Sequence, residues 1–290
     1  MSLQYDVIVI GGGAAGLSGA LVLARARRRV LVIDGGRPRN APADGVHNYL
    51  GREGTPPGEL VSIGRQEIQR YGAEILEATV DSVRREGELF RVNGEHLARR
   101  LLVTTGVVDE LPDIPGVAEG FGRHVLHCPY CHGWEVRDRP IGIIATSALA
   151  GHAAQLWPQW SDDVVLFTNG LEVAGVPEKV RVVEGLVAGV DESGVHLRDG
   201  TIVPREAVVV QTRPTVRAAF LAELGLEVAD LEMQGEAVAT YVPADPTGKT
   251  SVPGVWVAGN VSDPMAQVIQ AAAAGGKAGA MINMDLIVQP

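Results

Sequence analysis

The string Gly11-Gly12-Gly13-Ala14-Ala15-Gly16 stands between a short β-branched run and an alanine- and leucine-rich stretch, and it constrains the fold more than any other part of the chain. Asp6-Val7-Ile8-Val9-Ile10 reads as a buried parallel strand, apolar on both faces. The stretch after the glycines reads as a helix to about Arg28, and Val30-Leu31-Val32-Ile33 reads as a second strand ending at Asp34. Gly11, Gly13 and Gly16 fit G-x-G-x-x-G. The first glycine permits the turn, the second lets a pyrophosphate approach the backbone, and the third packs helix on strand. The helix N-terminus then offers its N–H groups and partial positive charge to the phosphates. Asp34 follows the motif by about 20 residues, where an acid can accept from a ribose hydroxyl. A lone glycine motif would also fit a tight turn. Strand, glycines, helix, second strand and acid in that order predict a βαβ nucleotide-binding unit.

Cys128 and Cys131, in His127-Cys128-Pro129-Tyr130-Cys131-His132-Gly133, are the only cysteines among 290 residues. Two residues between the thiols let them close a small ring, and C-x-x-C often lowers one thiol's pKa towards neutrality. Dithiol–disulfide chemistry is the leading reading. Three others remain at the same residues. C-x-x-C-H is also the c-type haem attachment string, which usually accompanies export. His124, His127, Cys128, Cys131 and His132 hold enough ligands for zinc, although a structural site usually brings a second spaced pair. Two inert buried thiols are the plainest possibility.

The length suggests about two domains, each large enough for its own core. A formal charge of −10 argues against nucleic acid and against an anionic membrane surface as partners. The front of the chain, Met1-Ser2-Leu3-Gln4-Tyr5-Asp6, carries no basic residue, and glycines break the apolar run after it, so no signal peptide is expected. Every long apolar run is interrupted by Gly or a charge, so no membrane span is expected either. These features predict a cytoplasmic protein, where a lone Cys pair is more often catalytic than structural.

With C-x-x-C added to the glycine motif, the chain resembles the low-molecular-weight thioredoxin reductases over nearly its whole length. Asn48-Tyr49-Leu50-Gly51 resembles that family's E-N-x-P-G stretch, and Thr104-Thr105-Gly106 its A-T-G segment. Ile114-Pro115-Gly116 resembles the start of its inserted domain. Ser251 to Asn260 resembles T-S-x-P-G-V-F-A-A-G-D, and Ala266-Gln267-Val268 stands in the place of R-Q-A.

The resemblance implies an α/β fold of two Rossmann-like, three-layer nucleotide-binding domains, the second inserted into the first. An FAD domain would comprise residues 1–115 and 240–290, and an inserted domain residues 116–239. FAD would lie on Gly11, Gly13, Ala14, Ala15, Gly16, Asp34, Arg39, Asn40, Asn48, Val80, Thr105, Gly106, Gly259, Asn260, Ala266, Gln267 and Val268. No metal is implied, and a homodimer is. In the insert, Ile141–Ile144, Asp163–Phe167 and Ala207–Val210 read as buried strands, with a helix after the first.

Departures from the family pattern bear on function. The second glycine motif, G-G-G-D-S-A, falls on Ala145-Thr146-Ser147-Ala148-Leu149-Ala150, so side chains stand where glycines admit the pyrophosphate. The H-R-R that grips the 2′-phosphate of NADPH falls on Thr168-Asn169-Gly170. Losing two charge-assisted contacts of about 1.5–3 kcal/mol each weakens NADPH by roughly 100-fold to more than 10,000-fold as an upper bound. The acid that follows the second Cys in the reductases is His132 here. C-P-Y-C-H-G-W-E resembles instead the FAD-dependent dithiol oxidases of the gliotoxin, holomycin and romidepsin type.

That resemblance implies a small-molecule or peptide dithiol substrate, with electrons passed through FAD to dioxygen. Cys128 would exchange with substrate, Cys131 would face the flavin, and His132 would act as base. A core or helix-capping histidine is the plainer reading of His132. Three alternatives stand beside the oxidase: a thioredoxin reductase-like enzyme using NADPH or a non-pyridine donor, a non-catalytic flavin redox sensor, and a zinc-stabilised binding module. Asn260, where the family has Asp, keeps an acceptor and gains donors. Arg25, Arg27, Arg28 and Arg29 read as a solvated helix end, and Trp157 and Trp160 as core or interface residues.

Overall fold

The computed structural model describes residues 4–147, 149–216 and 218–289. Ala148, in the stretch read against the second glycine motif, and Met1 to Leu3 lie outside the described residues. The chain divides into two compact units. One comprises Met1–Val108, Pro214–Leu231 and Ala239–Pro290, the other Asp109–Arg213 and Glu232–Val238.

The first unit opens with β1 (Gln4–Ile10), α1 (Ala14–Arg25), β2 (Val30–Asp34), α2 (Pro57–Arg70) and β3 (Glu74–Glu77). Then come β4 (Val83–Glu86), β5 (Leu89–Val92) and β6 (His96–Val103). Its sheet runs β3-β2-β1-β6-β5-β4, and a strand at Val255–Val257 adds parallel to the C-terminal half of β6. β1 pairs in parallel with β2 and β6, and β2 with β3, whereas β4, β5 and β6 form an antiparallel meander.

Successive side chains of a strand point to opposite faces. Ile8, Ile10, Leu31, Ile33, Leu101 and Val103 therefore enter one core, and Val7, Val9, Val30, Val32 and Leu102 the other. Covering both faces explains why these strands read as unbroken apolar runs. The second core is closed by α1 and the C-terminal helix Val268–Val288. Their backbones cross closely: a Cβ on Gly275 would come within 1.9 Å of the Ala15 carbonyl oxygen. Burying a residue such as Leu23 stabilises the unit by about 1.5–3 kcal/mol, and truncating it to Ala costs about 2–5 kcal/mol.

α1 stops at Arg25 because Arg27 takes a left-handed conformation, with φ of 64°. Arg25, Arg27 and Arg29 are exposed, as a solvated helix end requires. Arg28 is the exception, donating from Nε to Asn283 Oδ1 at 2.7 Å on the C-terminal helix.

The boundary near residue 240 differs from the one observed. Pro214–Leu231 belong to the first unit, because Phe220, Leu221, Leu224 and Leu226 are buried in its core.

The second unit holds a parallel sheet in the order Arg181–Val183, Val164–Phe167, Ile141–Ile144, Ala207–Val209, Val125–Leu126. Each of the three strands expected here is present within one residue of its expected bounds. A helix at Ala150–Leu156 follows the first. An antiparallel sheet of Val187–Asp191, Gly194–Leu197 and Ile202–Val203 packs through Val187, Val190, Val195 and Leu197 onto one face of the parallel sheet.

Candidate active site

The strand Val125–Leu126 delivers the chain to Cys128, which is extended (φ −105°, ψ 114°) and caps a short helix at Pro129–His132. Pro129 suits the first helical position, since its fixed φ matches and its missing N–H costs nothing there. The Cys128 carbonyl oxygen accepts from the N–H groups of both Cys131 and His132 at 3.2 Å. The turn brings the two Sγ atoms to 2.7 Å. Both cysteines and His132 are half-buried.

Behind the turn lies an aromatic wall. Trp157 is buried and stands 6.1 Å from Trp160, ring to ring, and Tyr130 meets Trp160 edge to face at 5.7 Å. A Cβ on Gly133 would fall 2.5 Å from the Pro129 carbonyl oxygen and 2.8 Å from the Trp160 ring, so only glycine admits this approach. Among the described residues, no three His, Cys, Asp or Glu side chains are grouped so as to hold a metal ion.

In the first unit, β1 ends at Ile10 and the chain turns at Gly11 with φ of 105°. Gly13 caps α1 in extended backbone, and no side chain caps that helix. A Cβ on Gly13 would meet nothing within 4 Å, whereas one on Gly16 would lie 1.9 Å from the Gly11 carbonyl oxygen. Gly13 thus faces open space and Gly16 a packed contact. Ala14 and Ala15 begin the helix.

Asp34 Oδ1 accepts from the Gly12 N–H at 3.0 Å, and Asp34 Oδ2 receives the Arg65 guanidinium at 2.7 Å. Sequence reading missed Arg65, which α2 brings to the end of β2. Its guanidinium pKa is held up first by that bond, and further by its bond to Glu77. Thr104, also missed, donates to the carbonyl oxygens of Ile10 and Gly11, where only its place in Thr-Thr-Gly hinted at a role. Thr105 Oγ1 is buried with no hydrogen-bond partner among the described residues. Gly106 has φ of 67°.

Gly259 follows the strand Val255–Val257 with φ of 77°. The Asn260 amide nitrogen, with two N–H donors, lies within hydrogen-bond distance of three carbonyl oxygens of the loop ahead: Asp263, Pro264 and Ala266. Gln267 caps the C-terminal helix in a reciprocal box with Gln270, and Val268 begins that helix. Arg39 Nη1 donates to the Pro264 carbonyl oxygen at 3.2 Å. Asn40 turns the chain, its carbonyl accepting from Ala43. Asn48, at φ 59°, donates its N–H to Glu53, and Val80 packs on the first core. The residues expected to hold the cofactor thus all lie in the first unit, and Cys128, Cys131 and His132 in the second.

The stretch read against the second glycine motif ends the strand Ile141–Ile144. Ala145 is fully buried, and Asn169 Nδ2 donates to its carbonyl oxygen at 3.3 Å. Asn169 Oδ1 accepts from the Val187 N–H at 2.9 Å, so this side chain ties together the ends of neighbouring strands.

A family model described as pyridine nucleotide-disulphide oxidoreductase matches residues 5–276. The chain belongs to that family. It is 33% identical to thioredoxin reductase tcpT of Claviceps purpurea, over 97% of this chain and 94% of that protein. It is 30% identical to thioredoxin reductase sirT of Leptosphaeria maculans, over 98% of this chain and 94% of that protein. Among solved structures, HlmI aligns at a TM-score of 0.88 with 44% identity, covering 99% of this chain and 93% of its own. The oxidoreductase from Agrobacterium tumefaciens aligns at 0.91 with 32% identity, covering 99% and 100%.

This thioredoxin reductase-like disulfide oxidoreductase uses FAD, as its family does. The first unit fits the group: Gly13 leaves room for a pyrophosphate, the start of α1 has no side-chain cap, and Thr105 Oγ1 is a buried polar atom awaiting a partner. No helix among the described residues is long and apolar enough to cross a membrane.

Proposed function

We propose that this chain is an FAD-dependent dithiol oxidase that closes a disulfide in a small-molecule or peptide dithiol. FAD sits in the first unit, and thiol exchange takes place in the second. One observation carries this reading: Asn169 bridges the strand ends where the second unit would receive a pyridine nucleotide. With electron entry from NADPH disfavoured there, the thiols of the substrate become the donor.

In the forward cycle a substrate thiolate attacks Cys128 Sγ of the Cys128–Cys131 disulfide. The S–S bond breaks, a substrate–Cys128 mixed disulfide forms, and Cys131 leaves as thiolate. The second substrate thiolate attacks the substrate sulfur of that mixed disulfide, releasing the product disulfide and the Cys128 thiolate. Two electrons then reside on the Cys pair. His132, next to Cys131, accepts a thiol proton, a task for which an imidazole is a stronger base at neutral pH than a carboxylate. When bound, FAD would supply a two-electron acceptor for the pair, with dioxygen as the proposed final oxidant.

The protein is proposed to be cytoplasmic, because a lone redox Cys pair is more often catalytic in a reducing compartment. It is proposed to be a homodimer. In support, the C-terminal helix exposes Ala273, Ala274, Ala280, Met281, Met284, Ile287 and Val288 along one face, interrupted by the exposed Lys277.

The decisive experiment supplies a panel of dithiols to the purified yellow protein in air and follows oxygen consumption. Catalytic oxygen uptake supports the oxidase. Reduction that stops at one equivalent identifies a redox sensor. The relatives named thioredoxin reductase favour a second reading, reduction of a protein disulfide. Thioredoxin reduction fed by NADPH or another donor, without oxygen uptake on dithiols, would establish it.

A further inference from the structure

Two large aromatic side chains stand in solvent at the redox turn. Tyr130, between the two cysteines, is 57% exposed, and Trp134, the third residue past Cys131, is 65% exposed. The other tryptophans are buried or half-buried: Trp157 and Trp160 make the wall behind the turn, and Trp256 lies in a core of the first unit. Trp134 belongs to neither core of its own unit. Its ring is nonetheless fixed. The Arg137 guanidinium carbon lies 4.1 Å from the ring centroid, and Arg137 Nη1 donates to the Trp134 carbonyl oxygen at 2.7 Å. The same carbonyl oxygen accepts from the Arg137 N–H at 3.4 Å, closing the turn that lays the guanidinium over the indole. Tyr130 is fixed by Trp160, edge to face.

Rigid aromatic rings bury a large area at small cost in side-chain entropy, which suits them to anchor a ligand. Whatever carries thiols to Cys128 comes to the turn that bears Tyr130 and precedes Trp134. The size of the patch sets the class of that molecule. Two such rings bury at most about 300–500 Å². A stable protein interface buries about 800 Å² on each partner, so the patch matches a small molecule. Resting on the reading of Cys128 and Cys131 as the site of thiol exchange, we propose that Tyr130 and Trp134 are specificity residues. They receive a flat unsaturated ring of the substrate, and so direct the Cys pair to ring-bearing dithiols in preference to open-chain ones. A ring held there has lost its freedom to tumble, and its two thiols reach Cys128 in turn without dissociation.

The test offers the holoenzyme two dithiols with the same carbon spacing between the sulfurs, 1,2-bis(mercaptomethyl)benzene and butane-1,4-dithiol. Anaerobic stopped-flow reduction of the flavin gives the ratio of their second-order rate constants, in which dioxygen plays no part. Intrinsic thiol reactivity cancels when the ratio in a variant is divided by that in wild type. Trp134→Ala is expected to lower the preference for the ring about 10-fold and Tyr130→Leu about threefold, with most of it restored in Trp134→Phe. The bis(S-methyl) thioethers of the same two molecules cannot exchange, and calorimetric titration with them reads binding alone. The ring thioether is expected to bind wild type about 10-fold more tightly than the open-chain one, and Trp134→Ala to lose that margin. If neither dithiol reduces the wild-type flavin, the thiol-exchange reading fails and the thioether titration by itself decides the ring site. An unchanged ratio in Trp134→Ala would overturn the proposal, as would wild-type binding that ignores the ring. Loss of exchange with thioredoxin in Trp134→Ala, with the thioether margin intact, would overturn it too and assign the indole to a protein partner.

Discussion

Asn169 donates through Nδ2 to the carbonyl oxygen of Ala145 at 3.3 Å, joining the C-terminal ends of two neighbouring parallel strands. In open α/β sheets that edge is where a nucleotide is received. At the matching place in the first unit, Asp34 at the end of β2 accepts from the Gly12 N–H, and the glycine loop stays open at Gly13. The edge is thus open at the glycine loop in one unit and bridged by a side chain in the other.

From this follows slow reduction of the holoenzyme by NADPH or NADH under anaerobic conditions, and ready reduction by dithiothreitol. Stopped-flow absorbance of the flavin checks it. Rapid bleaching by NADPH would return the protein to the ordinary reductases.

Gly13→Val places a branched side chain into the open approach at the start of α1. The variant is expected to fold and to purify colourless. Normal flavin content, measured by absorbance after denaturation, would refute the assignment of the pyrophosphate to this loop.

On the proposed mechanism the two cysteines divide the work. Cys131→Ser is expected to lose turnover by on the order of 1000-fold or more, yet to accumulate a covalent adduct between Cys128 and a disulfide-activated substrate. Cys128→Ser should lose turnover equally but trap no substrate adduct. Intact-protein mass spectrometry separates the two. Wild-type turnover in either variant would remove the disulfide relay.

His132→Ala is expected to keep FAD and the disulfide while slowing thiol attack by roughly 100- to 10,000-fold near neutral pH. The sign of the pH effect follows from the thiol. Without a base the substrate must ionise on its own, with a pKa of about 8.5, so the defect should shrink as pH rises through that value. An unchanged pH profile would rule out the base.

Gly133→Ala would set a methyl group 2.5 Å from the Pro129 carbonyl oxygen and 2.8 Å from the Trp160 ring. The overpacking should cost about 1–3 kcal/mol, seen as a lower Tm, and slow thiol exchange by shifting the Cys128–Cys131 turn. An unaltered Tm would mean that the aromatic wall yields without strain.

Much of this molecule is legible in its residues taken in order. Val7 to Ile10, Gly11 to Gly16 and Val30 to Asp34 announce a βαβ unit because strand period, turn chemistry and helix propensity are properties of neighbours in sequence. Cys128 and Cys131 announce redox chemistry because their spacing already brings two thiols to one turn. What needed the tertiary structure involves partners far apart in the chain. Arg65 meets Asp34 from 31 residues away, Asn169 meets Ala145 from 24, and Arg39 meets Pro264 from 225. Phe220 and Leu221 could be assigned to the first unit only by the core that buries them. Asn260 read as a one-atom exchange until folding placed three carbonyl oxygens before its amide. A hydrogen bond is directional and short, so its partners are decided only when the packing of sheets and helices sets the distances between them.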